Sequence, residues 1–325
     1  MPLPAVLTRA LAVLVLAIAA LQAFAQEAFP ARPIHLIVPV AAGGGIDTAF
    51  RTIGPYWSEL LGQPIVIENK PGAGQVIGSD AVAKAKPDGY TLLAAGVPIA
   101  FNTALGRKLP YDAVRDFTPV SLVVTQPLLI VVSPAVPAKD LRELLAYAQA
   151  QAAPLQYTTG GIGSYGHLWW EMFRDRQKVP GQHVPYNGVA AALKDVVGGQ
   201  VPLLIDAIVP TGTQVQGGAL RGIAIVSPQR SRLLPGVPTL GEQGYAGFDA
   251  APFYGVLGPA GMNAAVVAKL QSTLAQALAL PALRDKLQDA GFDVVGSTPQ
   301  AYAAVIASEI DRWTQVVKAQ NIKVE

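Results

Sequence analysis

The sequence contains no cysteine and has few charged residues of either sign. The absence of cysteine excludes disulfides, thiolate metal sites, cysteine nucleophiles and a lipid-anchored N-terminal cysteine. Lysine and arginine together number 24 against 22 aspartate and glutamate residues, so the formal net charge is only +2. No basic run or arginine cluster interrupts this balance, and we therefore expect no nucleic-acid partner.

Histidine is almost as scarce as cysteine. The three histidines, His35, His167 and His183, are widely spaced along the chain. Since a zinc site without cysteine needs several imidazole or carboxylate ligands close together, the sequence predicts no metal site. His183 lies in a strand-like apolar stretch, which favours a structural role. His167 opens a helix, where capping, packing and ligand contact are all open to it.

Apolar residues, glycine and proline are abundant. Of the 325 residues, 51% are hydrophobic, and there are 32 glycines and 27 prolines. This composition is typical of a compact α/β protein with many tight turns and argues against disorder. The length suits two domains rather than one.

The N-terminal segment is a predicted export signal. Arg9 supplies the positive region, residues 10–21 the apolar core, and residues 23–25 the small-x-small motif that precedes cleavage. The apolar stretch is shorter than the ~20 residues of a membrane-spanning helix. We therefore expect cleavage after Ala25 and export of a soluble mature protein.

A strand, a glycine turn and a helix follow at the start of the mature chain. Residues 34–40 are an apolar run typical of a buried parallel strand. The first glycine turn, residues 41–45, contains only alanine and glycine, and Asp47 and apolar residues at helical spacing come after it. Open N–H groups and the positive end of a helix dipole together attract anions. We interpret this turn as half of a binding site for a small carboxylate.

The same pattern occurs again in the middle of the chain. Strand-like segments at 64–68 and 90–95 extend the first strand into a parallel sheet with helices on both faces. A further strand at 155–159 leads into the second glycine turn, residues 160–164, which a helix follows. Two anion-attracting turns on two domains predict a clam-shell with the ligand between them.

The first glycine turn does not match either common phosphate-binding motif. A P-loop needs Gly-Lys-Ser/Thr at the start of the helix, where this chain has Gly45, Ile46 and Asp47. A dinucleotide fingerprint needs glycine at the position of Thr48, although Glu68 stands where a ribose-binding acid would. No cofactor is therefore expected, and a purely structural turn remains the alternative.

The second glycine turn approaches the nucleophile elbow of α/β hydrolases. Ser164 lies between strand and helix, but Ile162 stands where the first glycine of the elbow belongs. In that fold the acid precedes the histidine, whereas Asp206 comes after His183, the last histidine in the chain. Ser164 suits a helix cap or a ligand hydrogen bond better. A secreted hydrolase that uses Ser164 stays an alternative.

Several short motifs, spread in order over the whole mature chain, match a known family. They lie at 39–47, 68–74, 86–92, 108–112, 183–186, 198–200 and 234–239. On these motifs the chain resembles the periplasmic substrate-binding proteins of tripartite tricarboxylate transporters, the Bug-type receptors. The resemblance implies a type II periplasmic-binding-protein fold, in which two α/β domains enclose a ligand cleft.

The resemblance also implies a function. The chain is expected to be a periplasmic monomer that is not an enzyme, holds a small carboxylate through backbone amides and ordered water rather than arginine, and delivers it to a two-subunit membrane permease. Residues 26–125 and 250–325 are expected to form the first domain and 126–249 the second, with crossings near 124–128 and 248–254. A ligand-dependent signalling receptor of the same fold remains an alternative.

Binding positions of the family fall on both glycine turns and on two neighbouring loops. They correspond here to Ala41, Ala42, Gly43, Gly44, Gly45, Asp47, Gly96, Gly161, Ile162, Gly163, Ser164, Tyr165, His167 and Asp206. The chain departs from the family at Ile162 and Tyr165, where polar or small residues are usual, and at Ala207, where asparagine often follows the aspartate. These changes make the predicted pocket more apolar. We therefore expect a ligand with one apolar or aromatic side rather than a tricarboxylate.

Overall fold

Two β-sheets, one of six strands and one of five, form the framework of the two domains. The structure is a computed structural model, and it describes residues 29–248, 250, 252–320 and 322. The predicted signal peptide and its cleavage site after Ala25 lie outside the described residues.

The elements alternate between strands and helices along most of the chain. The strands are β1 (Ile34–Val38), β2 (Ile65–Asn69), β3 (Thr91–Gly96), β4 (Phe117–Thr125), β5 (Leu128–Val132), β6 (Leu155–Thr158), β7 (Gly181–His183), β8 (Leu203–Ala207), β9 (Arg221–Val226), β10 (Phe253–Pro259) and β11 (Asp293–Val294). The helices are α1 (Gly45–Leu61), α2 (Val76–Ala83), α3 (Pro98–Ala104), α4 (Leu141–Ala150), α5 (Tyr165–Arg176), α6 (Val189–Val197), α7 (Ile208–Gln216), α8 (Ala264–Ala279), α9 (Pro281–Asp289) and α10 (Pro299–Ala319).

The two sheets share one strand arrangement. In the first, ordered β11-β4-β10-β3-β1-β2, strand β1 is parallel to β2 and β3, as the alternating strand and helix pattern predicts. In the second, ordered β7-β6-β8-β5-β9, strand β6 is parallel to β7 and β8. Each sheet then takes up an antiparallel strand, β10 beside β3 and β5 beside β8. The turns after β1 and β6 therefore lie at equivalent places.

The chain passes between the sheets at two crossings. Strand β4 continues through Gln126 and Pro127 into β5 of the other sheet, and the return leads into β10. The backbone N–H of Gln126 donates to the carbonyl of Pro252 at 2.8 Å, which joins the two crossings side by side. The domain boundaries at 125/126 and 249/250 stay predictions.

Apolar spacing along the helices determines how they pack on the sheets. The buried face of α1 includes Phe50, Ile53 and Trp57, which recur at the period of one helix face. Burying side chains of this size contributes about 1.5–3 kcal/mol each. The Trp57 indole N–H donates to Thr273 of α8 at 3.1 Å, so this C-terminal helix packs against α1 of the first domain.

The last helices pack against elements that belong to the first sheet or cover it. Helix α9 also packs on α1, and α10 packs on α3 and β4. Among the described residues, no single helix is long and apolar enough to cross a membrane. Helices α8 and α9 meet that test only together, as a pair bent by 75°.

Candidate functional site

A cavity of about 520 Å³ lies between the two sheets, where β1, β3, β6 and β8 end. Ligands of open α/β sheets bind at the carboxyl ends of the strands, where loops and helix N-termini converge. Both domains supply its wall. The two glycine turns approach it from opposite sheets.

Asp47 closes the first glycine turn from behind. Gly43 has a left-handed backbone (φ 85°), and its N–H donates to Asp47 Oδ2 at 2.9 Å. Asp47 is 2% exposed and also accepts from Arg51 Nε at 2.9 Å and Asn69 Nδ2 at 2.8 Å. Burial alone would raise the pKa of Asp47, but these hydrogen bonds outweigh it and hold the pKa below its ordinary value. Asp47 therefore fixes the turn and does not line the cavity.

Gly45, the first residue of α1, brings the first turn to the cavity wall. No described residue accepts a hydrogen bond from the N–H of Gly45 or Ile46, and the cap residue Gly44 has no side chain to do so. A Cβ atom on Gly45 would lie 2.5 Å from the Tyr254 hydroxyl and 3.3 Å from Gln126 Oε1. Gln126 is 3% exposed, and its Oε1 has no hydrogen-bond partner in the described part of the chain. Open donors, a hydroxyl and an unpaired amide oxygen thus converge on one part of the wall.

A histidine closes the second glycine turn in the same way. Gly163 is left-handed (φ 72°), and its N–H donates to His167 Nδ1 at 3.0 Å. Ser164 Oγ accepts from the N–H of His167 at 3.3 Å, which confirms the predicted helix cap. Burial lowers the pKa of His167, so the ring is neutral and Nδ1 can accept. The ring stacks on His183 with centroids 4.1 Å apart and, like Asp47, lies behind the turn.

Ser164 is not arranged as a nucleophile. Its hydroxyl donates to Thr159 Oγ1 at 3.2 Å, and the same threonine oxygen pairs with His183 Nε2 at 3.0 Å. Within the described residues, the serine and the histidine therefore share Thr159 and do not bond to each other. The hydrogen bonds of Asp206 go to backbone N–H groups. This arrangement lacks the serine–histidine–acid relay that a hydrolase needs.

Asp206, at the end of β8, is an acid in the cavity wall. It accepts from the N–H of Ala207 at 2.7 Å and from the N–H of Gly160. Burial raises its pKa to about 6, against the effect of the two amide bonds. Because the charged form repels an anion, this part of the wall suits a ligand hydroxyl or ammonium group.

Three aromatic rings from different helices meet beside the cavity. Tyr165 of α5 stacks on Phe101 of α3, with centroids 5.2 Å and planes 9° apart. Both rings pack edge-on against Trp313 of α10. Tyr165, Phe101 and the half-exposed Ile162 line the cavity, so the wall has the apolar side expected from the sequence.

The predicted site residues divide into two groups. Those that line the cavity are Gly45, Ile162, Gly163, Ser164, Tyr165 and Asp206. Those that lie outside its wall are Ala41, Ala42, Gly43, Gly44, Asp47, Gly96, Gly161 and His167. Two residues of the second group, Asp47 and His167, fix the turns through their hydrogen bonds to the N–H groups of Gly43 and Gly163.

The wall also contains polar residues that sequence reasoning missed. Gln126 and Tyr254 belong to the crossings, Gln75 precedes α2, and Asn102 lies in α3, which Arg107 follows. The proline after Gln126 indicates a crossing between domains, and a crossing borders the cleft. The sequence therefore contains an indication that Gln126 lies near the ligand. The sequence around Arg107 gives no such indication.

A second cavity, of about 530 Å³, also lies near the crossings. Its wall includes Thr125, Phe253, Glu309 and Arg312. Among the described residues, Tyr165 is the only residue next to a glycine turn that lines this second cavity. We therefore place the candidate site in the first cavity.

Comparison with known sequences points to one family. A family model described as a tripartite tricarboxylate transporter family receptor matches residues 49–322. Protein BugT of Bordetella pertussis is 35% identical over 301 residues, which cover 92% of this chain and 92% of BugT. The UPF0065 protein in the tcbD-tcbE intergenic region of Pseudomonas sp. strain P51 is 34% identical and covers 90% of this chain and 87% of its own.

Solved structures give the same result. The periplasmic binding protein BugD has 32% identity and a TM-score of 0.78, covering 91% of this chain and 100% of its own. MatC from Rhodopseudomonas palustris, with bound malate, has 34% identity and a TM-score of 0.76 over 89% of this chain and 100% of its own. Rpa4515 of R. palustris, with adipate, has 33% identity and a TM-score of 0.82, covering 91% of this chain and 99% of its own.

Proposed function

The chain belongs to the tripartite tricarboxylate transporter receptor family, whose members are periplasmic solute receptors and not enzymes, and on this premise we propose that it binds a small organic carboxylate in the cleft between its domains. The relatives that hold malate and adipate support a carboxylate ligand. The convergence of donors at Gly45 is the observation that carries the proposal for this chain.

The first glycine turn offers a carboxylate what it needs. The N–H groups of Gly45 and Ile46 stand at the positive end of the α1 dipole, next to the Tyr254 hydroxyl. A helix end contributes about 0.3–1 kcal/mol to anion binding when exposed and more when partly buried. The second turn borders the same ligand with Ser164 and the apolar side chains beside it.

Domain closure is the expected motion. In our proposal residues 26–125 and 250–325 move as one body against 126–249, about the crossings near 124–128 and 248–254. The hydrogen bond from Gln126 to Pro252 ties the crossings together at the edge of the cavity. A ligand held by Gly45 on one side and Ser164 on the other would favour the closed form.

Export and delivery complete the proposed function. The mature chain is expected to begin at Gln26, in the periplasm, and the closed form is expected to dock on a two-subunit membrane permease. Mass spectrometry of the protein purified from the periplasm measures the first point. Uptake of a labelled ligand, with and without the permease genes, tests the second and separates transport from a signalling role.

Calorimetry with a panel of carboxylates tests binding itself. We expect wild-type protein to bind at least one member, and Gly45→Val to lose more than about tenfold in affinity, because the side chain enters the space next to the Tyr254 hydroxyl. The matched control is Gly236→Val, since a Cβ there meets nothing within 4 Å. Unchanged affinity in Gly45→Val, with both variants folded, would contradict this placement of the site.

A further inference from the structure

One charged residue of the cavity wall has no role in the function proposed above. Arg107 is half-buried and is the one lysine or arginine in that wall, among the residues that the structure describes. No ion pair found among the described residues includes it. By contrast, Arg51 and Arg174 each pair with a buried acid. A half-buried guanidinium that forms no ion pair with a described residue, in the cleft of an anion receptor, is suited to an anionic group of the ligand.

The end of α3 fixes the position of Arg107. Gly106 is left-handed (φ 68°) and its N–H donates to the Thr103 carbonyl at 3.0 Å, while the N–H of Arg107 donates to the Asn102 carbonyl at 3.1 Å. These two bonds form a Schellman motif, which closes a helix and sets the direction of the next residue. The backbone of Arg107 is therefore held before any ligand arrives.

Asn102 fixes the side chain as well. Its Oδ1 accepts from Arg107 Nη1 at 3.0 Å, and its Nδ2 donates to the carbonyl of Gly74 at 3.0 Å. Asn102 is 3% exposed, so both ends of its amide are committed inside the protein. A Cβ on Gly74 would lie 2.8 Å from Arg107 Nη1, which shows how closely this turn and the guanidinium approach. The side chain is thus pre-organised by a buried neighbour.

The remaining donors of Arg107 are available for a ligand. Among the described residues, only Asn102 accepts a hydrogen bond from the guanidinium, and it does so from Nη1. Nε and Nη2 can therefore donate two parallel hydrogen bonds to one carboxylate. The cavity wall that includes Arg107 also contains the apolar side chains of Phe101, Leu105 and Ile162. Apolar surroundings strengthen an ion pair, and they suit a ligand with hydrocarbon between its charged ends.

We propose that Arg107 is a specificity-determining residue that pairs with a second carboxylate of the ligand. This inference rests on the proposed function. The receptor then selects dicarboxylates with an aliphatic middle over the corresponding monocarboxylates. The first carboxylate needs only the amides at Gly45, as the family resemblance implies. The second needs the arginine.

Calorimetry with matched ligand pairs tests this inference. The probes are succinate, glutarate, adipate and pimelate, each measured against the monocarboxylate of the same chain length. We expect at least one dicarboxylate to bind more tightly than its partner, and Arg107→Gln to lower that affinity by about 10- to 100-fold while monocarboxylate affinity stays within about threefold. Arg107→Lys, which keeps the charge but loses the fork, should fall between.

The control is Lys108→Gln, which makes the same charge change at the exposed neighbouring residue, outside the cavity wall. It should leave both affinities unchanged. A dicarboxylate preference that survives in Arg107→Gln overturns the inference. So does a wild-type protein that binds both series equally, although the proposed function then still holds. A wild-type protein that binds neither series contradicts the proposed function instead.

Urea unfolding of each variant shows whether it is folded. If Arg107→Gln does not fold, the ratio of dicarboxylate to monocarboxylate affinity in Arg107→Lys decides. A purely structural role of Arg107 predicts that lysine lowers both affinities equally. A selective loss for dicarboxylates supports the inference.

Discussion

The first and second glycine turns are built on one hydrogen-bond plan, although they share little sequence. In each, a left-handed glycine, Gly43 or Gly163, donates its N–H to the side chain four residues later. The next residue has nearly the same backbone angles in both, φ −70° and ψ 162° at Gly44 and φ −68° and ψ 162° at Ser164. The backbone requirement therefore falls on the glycine, since other residues rarely adopt its φ.

The side chain that accepts this hydrogen bond differs in chemistry. In the first turn it is the buried carboxylate of Asp47, which Arg51 and Asn69 also hold. In the second it is the neutral ring of His167, stacked on His183. Any acceptor of the right length serves the backbone, so the charge at the start of the helix is free to vary. An acid in the first turn of α1 offsets the helix dipole, and a neutral histidine in α5 does not.

The residue that faces the cavity differs as well. Gly45 leaves the start of α1 open next to Tyr254 and Gln126, whereas Tyr165 places an aromatic ring at the start of α5. Ser164 caps the second helix, and the first has no side-chain cap. One backbone plan thus gives a turn suited to hold an anion and a turn that shapes the wall.

Removing the two accepting side chains should show the largest difference between the turns. We expect Asp47→Ala to lower the free energy of unfolding by about 3 kcal/mol, because it leaves three donors without their acceptor. His167→Ala should cost about 2 kcal/mol, since it loses one accepted hydrogen bond and a buried ring. Urea unfolding followed by tryptophan fluorescence measures both values.

Conservative variants serve as the control for this pair. Asp47→Asn keeps an acceptor for the N–H of Gly43 but loses the charge that Arg51 pairs with, so it should fall between wild type and Asp47→Ala. A His167→Ala that costs more than Asp47→Ala would contradict the view that the first turn depends more strongly on its accepting side chain.

Local sequence patterns predicted the parts of this molecule that local physics determines. The strands before both turns, the helices after them and the cap at Ser164 follow from residues within a few positions of each other. The plan shared by Gly43 and Gly163 is also local. Its accepting side chains were not predicted, because aspartate and histidine have no common sequence signal for that role.

The cavity wall was predicted only in part because distant segments complete it. Tyr254 meets Gly45 across more than two hundred residues of chain, and the pair follows from the order of strands in the first sheet. Arg107 reaches the wall through the way α3 ends. Such contacts depend on tertiary packing, which a single sequence does not specify through spacing.

Acid should weaken the second turn before the first. Burial lowers the pKa of His183 to about 4. Between about pH 6.5 and 4 this histidine is therefore protonated in the unfolded chain but neutral in the folded protein. This contribution to stability is fully present above pH 6.5 and is lost as the pH falls towards 4. Asp47, whose pKa is held below its ordinary value, stays charged over that range. We expect about 1 kcal/mol of loss from His183 between pH 7 and 5, after allowance for its partial exposure.

Two variants separate this effect from that of Asp206. The pKa of Asp206 is raised to about 6, so the folded protein keeps a proton that the unfolded chain has released, and this contribution is lost as the pH rises through 6. In urea unfolding at pH 7 and 5, His183→Gln should lose less stability on acidification than wild type, and Asp206→Asn should lose more. Equal pH dependence in wild type and His183→Gln would show that the second turn does not respond to acid through this ring.

Exchanging the caps should have the smallest effect and is the closest test of the shared plan. Ser164→Gly removes the acceptor for the N–H of His167 and should cost about 0.5 kcal/mol. Gly44→Ser places a hydroxyl at the equivalent position, where it can accept from the N–H of Asp47. Its Cβ would lie 3.2 Å from Val40 Cγ2, so part of the gain is offset by crowding, and we expect a change within about 0.5 kcal/mol of wild type. The backbone angles at the two positions already agree. If Gly44→Ser lowered the free energy of unfolding by more than about 1 kcal/mol, the first turn would lack the space for a capping side chain that the second turn provides.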